Sequence, residues 1–148
     1  MQINKIDKNK NDYMELLLDA DPDKDIVEEY LKDSDMYVVI VDNIVVCEAV
    51  ITKYDEKTCE LKNIATLPKY RGRGYASFLI KYLFEEYKTK YEKMIVGTTE
   101  NMIPFYVLNG FKTYHHTVKN FFVDNYKEEI YDGDFHCIDM YYYSKNLK

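Results

Sequence analysis

Glycine and proline are scarce in this chain of 148 residues, five and three in all, and no repeat, low-complexity tract or Gly/Pro/Ser-rich linker interrupts it. That excludes collagen-like and linker-joined architectures, and a single domain over residues 1–148 is expected. Long apolar runs are also missing. The longest, Met36-Tyr37-Val38-Val39-Ile40-Val41, is far too short to span a bilayer. The N-terminal Met-Gln-Ile-Asn-Lys-Ile-Asp-Lys has no apolar segment of the secretory kind, so a soluble, cytoplasmic protein without membrane contact is expected. Cysteine is limited to Cys47, Cys59 and Cys137, an odd count in apolar or alternating segments, which reads as reduced structural residues rather than a disulfide framework. His115 and His116 are adjacent and His136 stands beside Cys137. None forms the i, i+4 pair of a helical metal site, so no metal is expected. Positive charge is in deficit, with a net −6, which argues against a nucleic-acid backbone as partner.

What is present is globular. Hydrophobic residues make up 47% and charged ones 31%, and a chain of this length buries roughly two-thirds of its surface on folding. Ile3 and Ile6 open a short strand, and helical material follows around Tyr13 to Leu18. Asp21-Pro22 reads as an N-cap with proline at the first helical position, ahead of a helix with Ile26, Val27, Tyr30 and Leu31 on one face. From Met36 the pattern changes to β-branched runs: 38–41, then 44–51 after the two-residue turn Asp42-Asn43. After the turn Asp55-Glu56-Lys57 comes a third, 59–66. These read as three successive antiparallel strands.

Pro68 ends that region. Beyond the basic loop Lys69 to Tyr75, Ala76, Leu79, Ile80, Leu83, Phe84 and Tyr87 recur at helical spacing, an apolar stripe made to lie on a sheet. Lys93 to Gly97 reads as a strand, Met102 to Leu108 as a short helix closed by Asn109-Gly110, Phe111 onward as a strand, and Ile138 to Tyr143 as a closing strand whose partner the sequence leaves open. The order is α+β with a mixed sheet.

The loop Arg71-Gly72-Arg73-Gly74-Tyr75-Ala76 carries the chemistry. Glycines let the backbone turn tightly and approach a ligand, and the first N–H groups of the following helix lack intrahelical acceptors and carry the positive end of its dipole. That combination suits an anion, most naturally a phosphate. Lys69, Arg71, Arg73 and Lys81 gather near the helix start, whose first carboxylate is Glu85. The P-loop pattern is absent. Gly72-x-Gly74-x-x-Ser77 falls short of the dinucleotide fingerprint, which needs its first glycine directly after a parallel strand. A solvated basic loop capping a core helix is the alternative.

The stretch from Asn63 to Ala76 resembles the acetyl-CoA motif of the GNAT superfamily of N-acetyltransferases, Arg/Gln-x-x-Gly-x-Gly/Ala, matched by Arg71, Gly74 and Ala76. A second stretch, Asn101-Met102-Ile103-Pro104-Phe105-Tyr106-Val107-Leu108-Asn109-Gly110-Phe111, is similar to that family's Asn…Phe/Leu-Tyr-x-x-x-Gly-Phe segment. The resemblance implies a mostly antiparallel sheet of six to seven strands, helices on both faces, splayed between the fourth and fifth strands. It implies acetyl-CoA as co-substrate. Backbone N–H groups of Arg71, Gly72, Arg73, Gly74, Tyr75 and Ala76, with Ser77, would hold the pyrophosphate. The edge of Ile64, Ala65 and Thr66 would pair with the pantetheine amides. Asn101 and Phe105 would contact the cofactor arm, and Tyr106 would protonate the leaving thiolate.

The implied reaction is direct acetyl transfer to a primary amine of a small molecule or protein, in a ternary complex. No cysteine is placed as a covalent nucleophile. A base is useful because a primary amine is mostly protonated near neutral pH. Glu60 matches the position where some histone-type members carry a glutamate base; Glu48, in an otherwise apolar run, is its rival, and water alone is the third option. Tyr114, His115, His116, Phe121, Phe122, Tyr126, Tyr131 and His136 follow Gly110 and either wall an amine pocket or fill the core. Other classes remain: a non-catalytic acyl-CoA-binding or sensing module, or an interaction protein without cofactor. Dimers are common in that family, so a homodimer is compatible with the resemblance, though no segment here demonstrates one.

Overall fold

A computed structural model describes residues 1–148. Strand β1 (Gln2–Ile6) precedes helices α1 (Met14–Ala20) and α2 (Lys24–Leu31). Strands β2 (Asp35–Val41), β3 (Ile44–Lys53) and β4 (Thr58–Thr66) then form the antiparallel meander read from the β-branched runs. The β2–β3 turn works without glycine because Asp42 and Asn43 both take left-handed backbone, φ 51° and 64°. Asn and Asp tolerate that region, and two such residues match the twist of a hairpin.

Helix α3 (Tyr75–Tyr87) crosses back and leads into β5 (Lys93–Thr98), which pairs in parallel with β4. Then come α4 (Ile103–Leu108), β6 (Thr113–Val118), α5 (Phe121–Asn125), a separate ribbon of β7 (Ile130–Asp132) and β8 (Phe135–Cys137), and β9 (Met140–Asn146). The seven-stranded sheet has the order β1-β2-β3-β4-β5-β9-β6. The partner of the closing strand is thus settled within the chain: β9 inserts between β5 and β6, antiparallel to both. Its bounds lie later than the apolar pattern suggested, because Ser144, Lys145 and Asn146 continue the pairing. No helix is long and apolar enough to cross a membrane.

Two cores flank the sheet. Leu79, Ile80, Leu83 and Tyr87 of α3 pack on Cys47, Ala49, Ile51 and Leu61. On the other face Leu17, Val27 and Leu31 of α1 and α2 cover Met36, Val38 and Val50. The three cysteines are free and buried, as the sequence suggested.

The expected cap of α2 is displaced. The helix starts at Lys24 and its cap is Asp23, whose carboxylate accepts the N–H of Ile26 at 3.1 Å; Pro22 lies outside the helix. Asp23→Ala is expected to lower stability by about 1 kcal/mol, read by urea denaturation, as loss of such a cap commonly does.

Two departures from regular pairing set the shape of the middle of the sheet. Strands β4 and β5 pair only over Thr58–Leu61 and Lys93–Val96. Past Leu61, β4 stays with β3 as far as Thr66, while β5 stays with β9. The sheet therefore opens between its fourth and fifth strands. In addition, Ile51 faces Leu61 but Val50 faces Asn63, so Lys62 is an unpaired bulge residue. Glu60, Asn63 and Ala65, opposite Thr52, Val50 and Glu48, consequently share the face covered by α1 and α2.

Candidate active site

After β4 the chain makes one tight turn over Pro68–Tyr70 and reaches the glycine loop. Gly72 and Gly74 have φ of 77° and 85°, and a Cβ at either would meet nothing within 4 Å. Backbone conformation is what calls for glycine there, and the space in front of the loop is open. Gly74 caps α3, and the first helical bond runs from Phe78 N–H to its carbonyl at 2.9 Å. The N–H groups of Tyr75, Ala76 and Ser77 precede that bond, and the first turn contains no acid. Free donors, a positive dipole end and no resident carboxylate make this an anion seat.

The seat opens into a cavity of about 650 Å³. Its walls are the open edge Ile64, Ala65 and Thr66; the loop residues Arg71, Gly72 and Gly74; the helix start Tyr75, Ala76 and Ser77; and Phe105 and Tyr106 from α4. The sequence had singled out every one of these. Two others of that set do not line it. Arg73 lies over the ring of Tyr70, 5.3 Å from its centroid. Asn101 donates to Asp132 at 3.0 Å and accepts from the Thr99 hydroxyl at 2.5 Å. Arg71 is turned toward α1: it pairs with Asp19 at 2.5 Å and donates through Nε to the carbonyl of Thr66 at 3.2 Å.

A second cavity, about 330 Å³, lies on the α1–α2 face of the opened sheet. It meets the first at Asp19, Ala20, Ile64, Met102, Tyr106 and Asp132. Tyr106 thus stands where the two spaces join. Burial pushes its phenol up to about 12, so it carries its proton at neutral pH.

Glu60 lines the second cavity, 3.7 Å from Lys62 Nζ. Burial raises its pKa and the Lys62 charge partly opposes that. Glu48, the other candidate base, is wholly buried, lines neither cavity, and has no hydrogen-bond partner on either carboxylate oxygen. Burial, with a smaller push from Asp19, holds its pKa well above the ordinary glutamate value. A lone buried carboxylate is costly enough that the neutral acid is the stable form.

The rest of the second cavity was mostly illegible in the sequence. Asp21, in the α1–α2 connection, accepts from the hydroxyls of Tyr126 (2.9 Å) and Tyr30 (3.2 Å) and from the N–H of Asp23 (3.3 Å). Burial first, and the Asp21 charge after it, keep both phenols far above their usual range. Asn63 donates to Tyr30 Oη at 2.9 Å and to the carbonyl of Leu17 at 3.1 Å, while its own Oδ1 is buried without a partner. Of the aromatic C-terminal stretch, Phe121, Phe122, Tyr126 and Tyr131 line this cavity. His115 and His116 instead lie on the outer strand, His116 stacked on Tyr142 and His115 edge-on to Tyr54.

Residues 32–113 match the family model described as an acetyltransferase (GNAT) domain. The chain is 29% identical over 138 residues to the uncharacterised N-acetyltransferase YvbK of Bacillus subtilis (strain 168), covering 90% of this chain and 88% of that one. Its fold superposes on a GNAT family acetyltransferase from Elizabethkingia anophelis crystallised with acetyl-CoA bound, with a TM-score of 0.88 and 29% identity over 98% of this chain and 97% of the other. A Bacillus subtilis acetyltransferase in complex with CoA gives 0.87 and 26% over 99% of both.

Proposed function

This chain belongs to the GNAT family of acetyltransferases, and from that premise we propose that it transfers the acetyl group of acetyl-CoA directly to a primary amine seated in the smaller cavity. The observation that carries the reading is the junction at Tyr106, where an anion-seating cavity meets an acid-lined one beside an open strand edge. The fit to the cofactor rests on the left-handed glycines, the unpaired helical N–H groups and the acid-free first turn. The open edge at Ile64, Ala65 and Thr66 offers main-chain partners to the amides of an extended arm.

The amine must lose a proton to attack, and of the carboxylates in the acceptor cavity we assign that step to Glu60, whose pKa burial raises. The neutral amine nitrogen then bonds to the acetyl carbon, a backbone N–H near Ala65 or Thr66 steadies the oxygen, and the carbon–sulfur bond breaks as Tyr106 gives its proton to sulfur; the proton still surplus on the nitrogen leaves as the amide forms and, through solvent, restores the Tyr106 phenol. Glu48 has no opening onto either cavity to receive the amine's proton, which favours Glu60 of the two.

Calorimetric titration with acetyl-CoA, followed by a thiol-release screen of amines, tests the reading. Saturable binding with thiol release is expected; binding without release by any amine would leave an acyl-CoA-binding module. Tyr106→Phe is expected to lower kcat by about 10²-fold, at the lower end for loss of a general acid, with CoA affinity little changed. Glu60→Gln should lower kcat/KM and remove its acid limb, which lies above the usual carboxylate range because burial raises that group. Unchanged turnover in either variant removes that residue from the mechanism.

A further inference from the structure

The acceptor cavity carries more negative charge than the chemistry of one amine needs. Four carboxylates line it: Asp19, Asp21, Glu60 and Asp132. Asp19 is paired with Arg71 and Glu60 with Lys62. Asp21 and Asp132 have no cation within ion-pair distance. Asp132 is held by Asn101 at the junction. Asp21 is set deeper and is built in: three neutral donors fix it, one from its own turn, one from α2 and one, Tyr126, 105 residues away in sequence. Neutral donors satisfy the oxygens of a carboxylate without bringing a counter-charge beside it.

Asn63 adds an independent sign. It is 4% exposed and lines the same cavity. Its orientation is determined: the Leu17 carbonyl can only accept, so the NH₂ must face it. That leaves Oδ1 as a buried acceptor with no donor in the protein, and such groups are rarely left unpaired. Beside Asp21 the rings of Phe122 and Tyr126 stack at 5.8 Å and 24°, an aromatic wall suited to a cation on an alkyl stem.

We infer that Asp21, with the Tyr126–Phe122 wall and the Asn63 oxygen, forms a second cation subsite, so that the acceptor is a slender diamine or longer linear polyamine. One amine is acetylated between Glu60 and Tyr106, and a second ammonium rests on Asp21. This rests on the acetyl-transfer reading and specifies its acceptor. An amino acid or peptide carboxylate would instead meet Asp21 and Asp132, with Lys62 already occupied by Glu60. The cavity of about 330 Å³ suits a linear chain rather than a multi-ring sugar.

The test is calorimetric titration of the CoA-saturated protein with diaminobutane and with butylamine, equal in carbon chain and differing in one ammonium. Wild type is expected to bind the diamine at least about tenfold more tightly, which corresponds to about 1.4 kcal/mol. Asp21→Asn should bring the two within about threefold while CoA affinity holds, since the amide oxygen can still accept from Tyr126 and the Asp23 N–H, while the charge and the bond from Tyr30 are lost. Tyr126→Phe, which leaves the carboxylate less firmly held, should reduce the preference by a smaller factor. Equal binding of the two amines by wild type overturns the subsite. So does an Asp21→Asn variant that weakens both amines alike, the mark of a merely structural residue. Thiol release is scored separately: its absence with every amine breaks the acetyl-transfer reading, whereas release without a diamine preference breaks the subsite alone.

Discussion

Gly74→Glu is expected to abolish measurable acetyl-CoA binding, a loss of at least about 100-fold, while the protein still folds. Gly74 is left-handed and a side chain there projects into open space, so the folding cost is confined to backbone strain of about 1–2 kcal/mol. The binding cost is larger. The new carboxylate stands at the helix N-terminus, where the N–H groups of Tyr75, Ala76 and Ser77 are expected to meet the pyrophosphate. Two like charges about 4 Å apart repel by about 4 kcal/mol at the effective dielectric of a protein surface. That exceeds the ~2.7 kcal/mol that a 100-fold loss requires. Gly74→Ala carries the strain without the charge and should lose far less affinity. Calorimetry on both variants, with thermal melts as a check on folding, reads the difference. Retained binding by the glutamate variant would move the cofactor away from this loop.

The second large effect concerns stability. Glu48→Gln is expected to make the protein more stable at neutral pH, by a margin that grows as pH rises. The folded protein holds Glu48 well above the ordinary value of 4.5 because the group is buried without a partner. A raised folded pKa means a contribution fully present below the unfolded pKa and lost as pH climbs through the folded one. Across that window, which opens near pH 4.5, each pH unit takes about 1.4 kcal/mol from the wild type. Glutamine keeps the shape and does not ionise. Urea denaturation from about pH 4 to about pH 8 should show the two proteins diverging from the acid end upward. A difference that stays flat with pH would mean that Glu48 is not the abnormal acid its surroundings demand.

These two sites differ in how far the sequence exposed them. The glycine loop and α3 are local: left-handed glycines, an apolar stripe and the absence of early carboxylates are all written within about fifteen consecutive residues. The meander of β2, β3 and β4 was equally plain, since alternation and turn residues are short-range signals. Glu48 was visible as an oddity, a carboxylate in an apolar run, but its burial depends on α1 and α2 covering that face of the sheet.

The smaller cavity was another matter. Simple alternation along β4 would set Glu60 and Asn63 on opposite faces; the bulge at Lys62 puts them on the same one. Asp21 read as a helix cap because a following proline is a strong local cue, yet Asp23 takes that role and Asp21 is freed to receive two tyrosines. Most of the elements and the anion loop could be read from the chain unaided, because they depend on dihedral preference and spacing over one or two turns; α5 and the β7–β8 ribbon, too short to carry a period, could not. Which carboxylates remain uncompensated, which acid is buried neutral, and where β9 enters the sheet were set only when the chain came together in three dimensions. Each of these depends on what a residue meets across the fold, and loop closure over a hundred residues leaves no trace in local pattern.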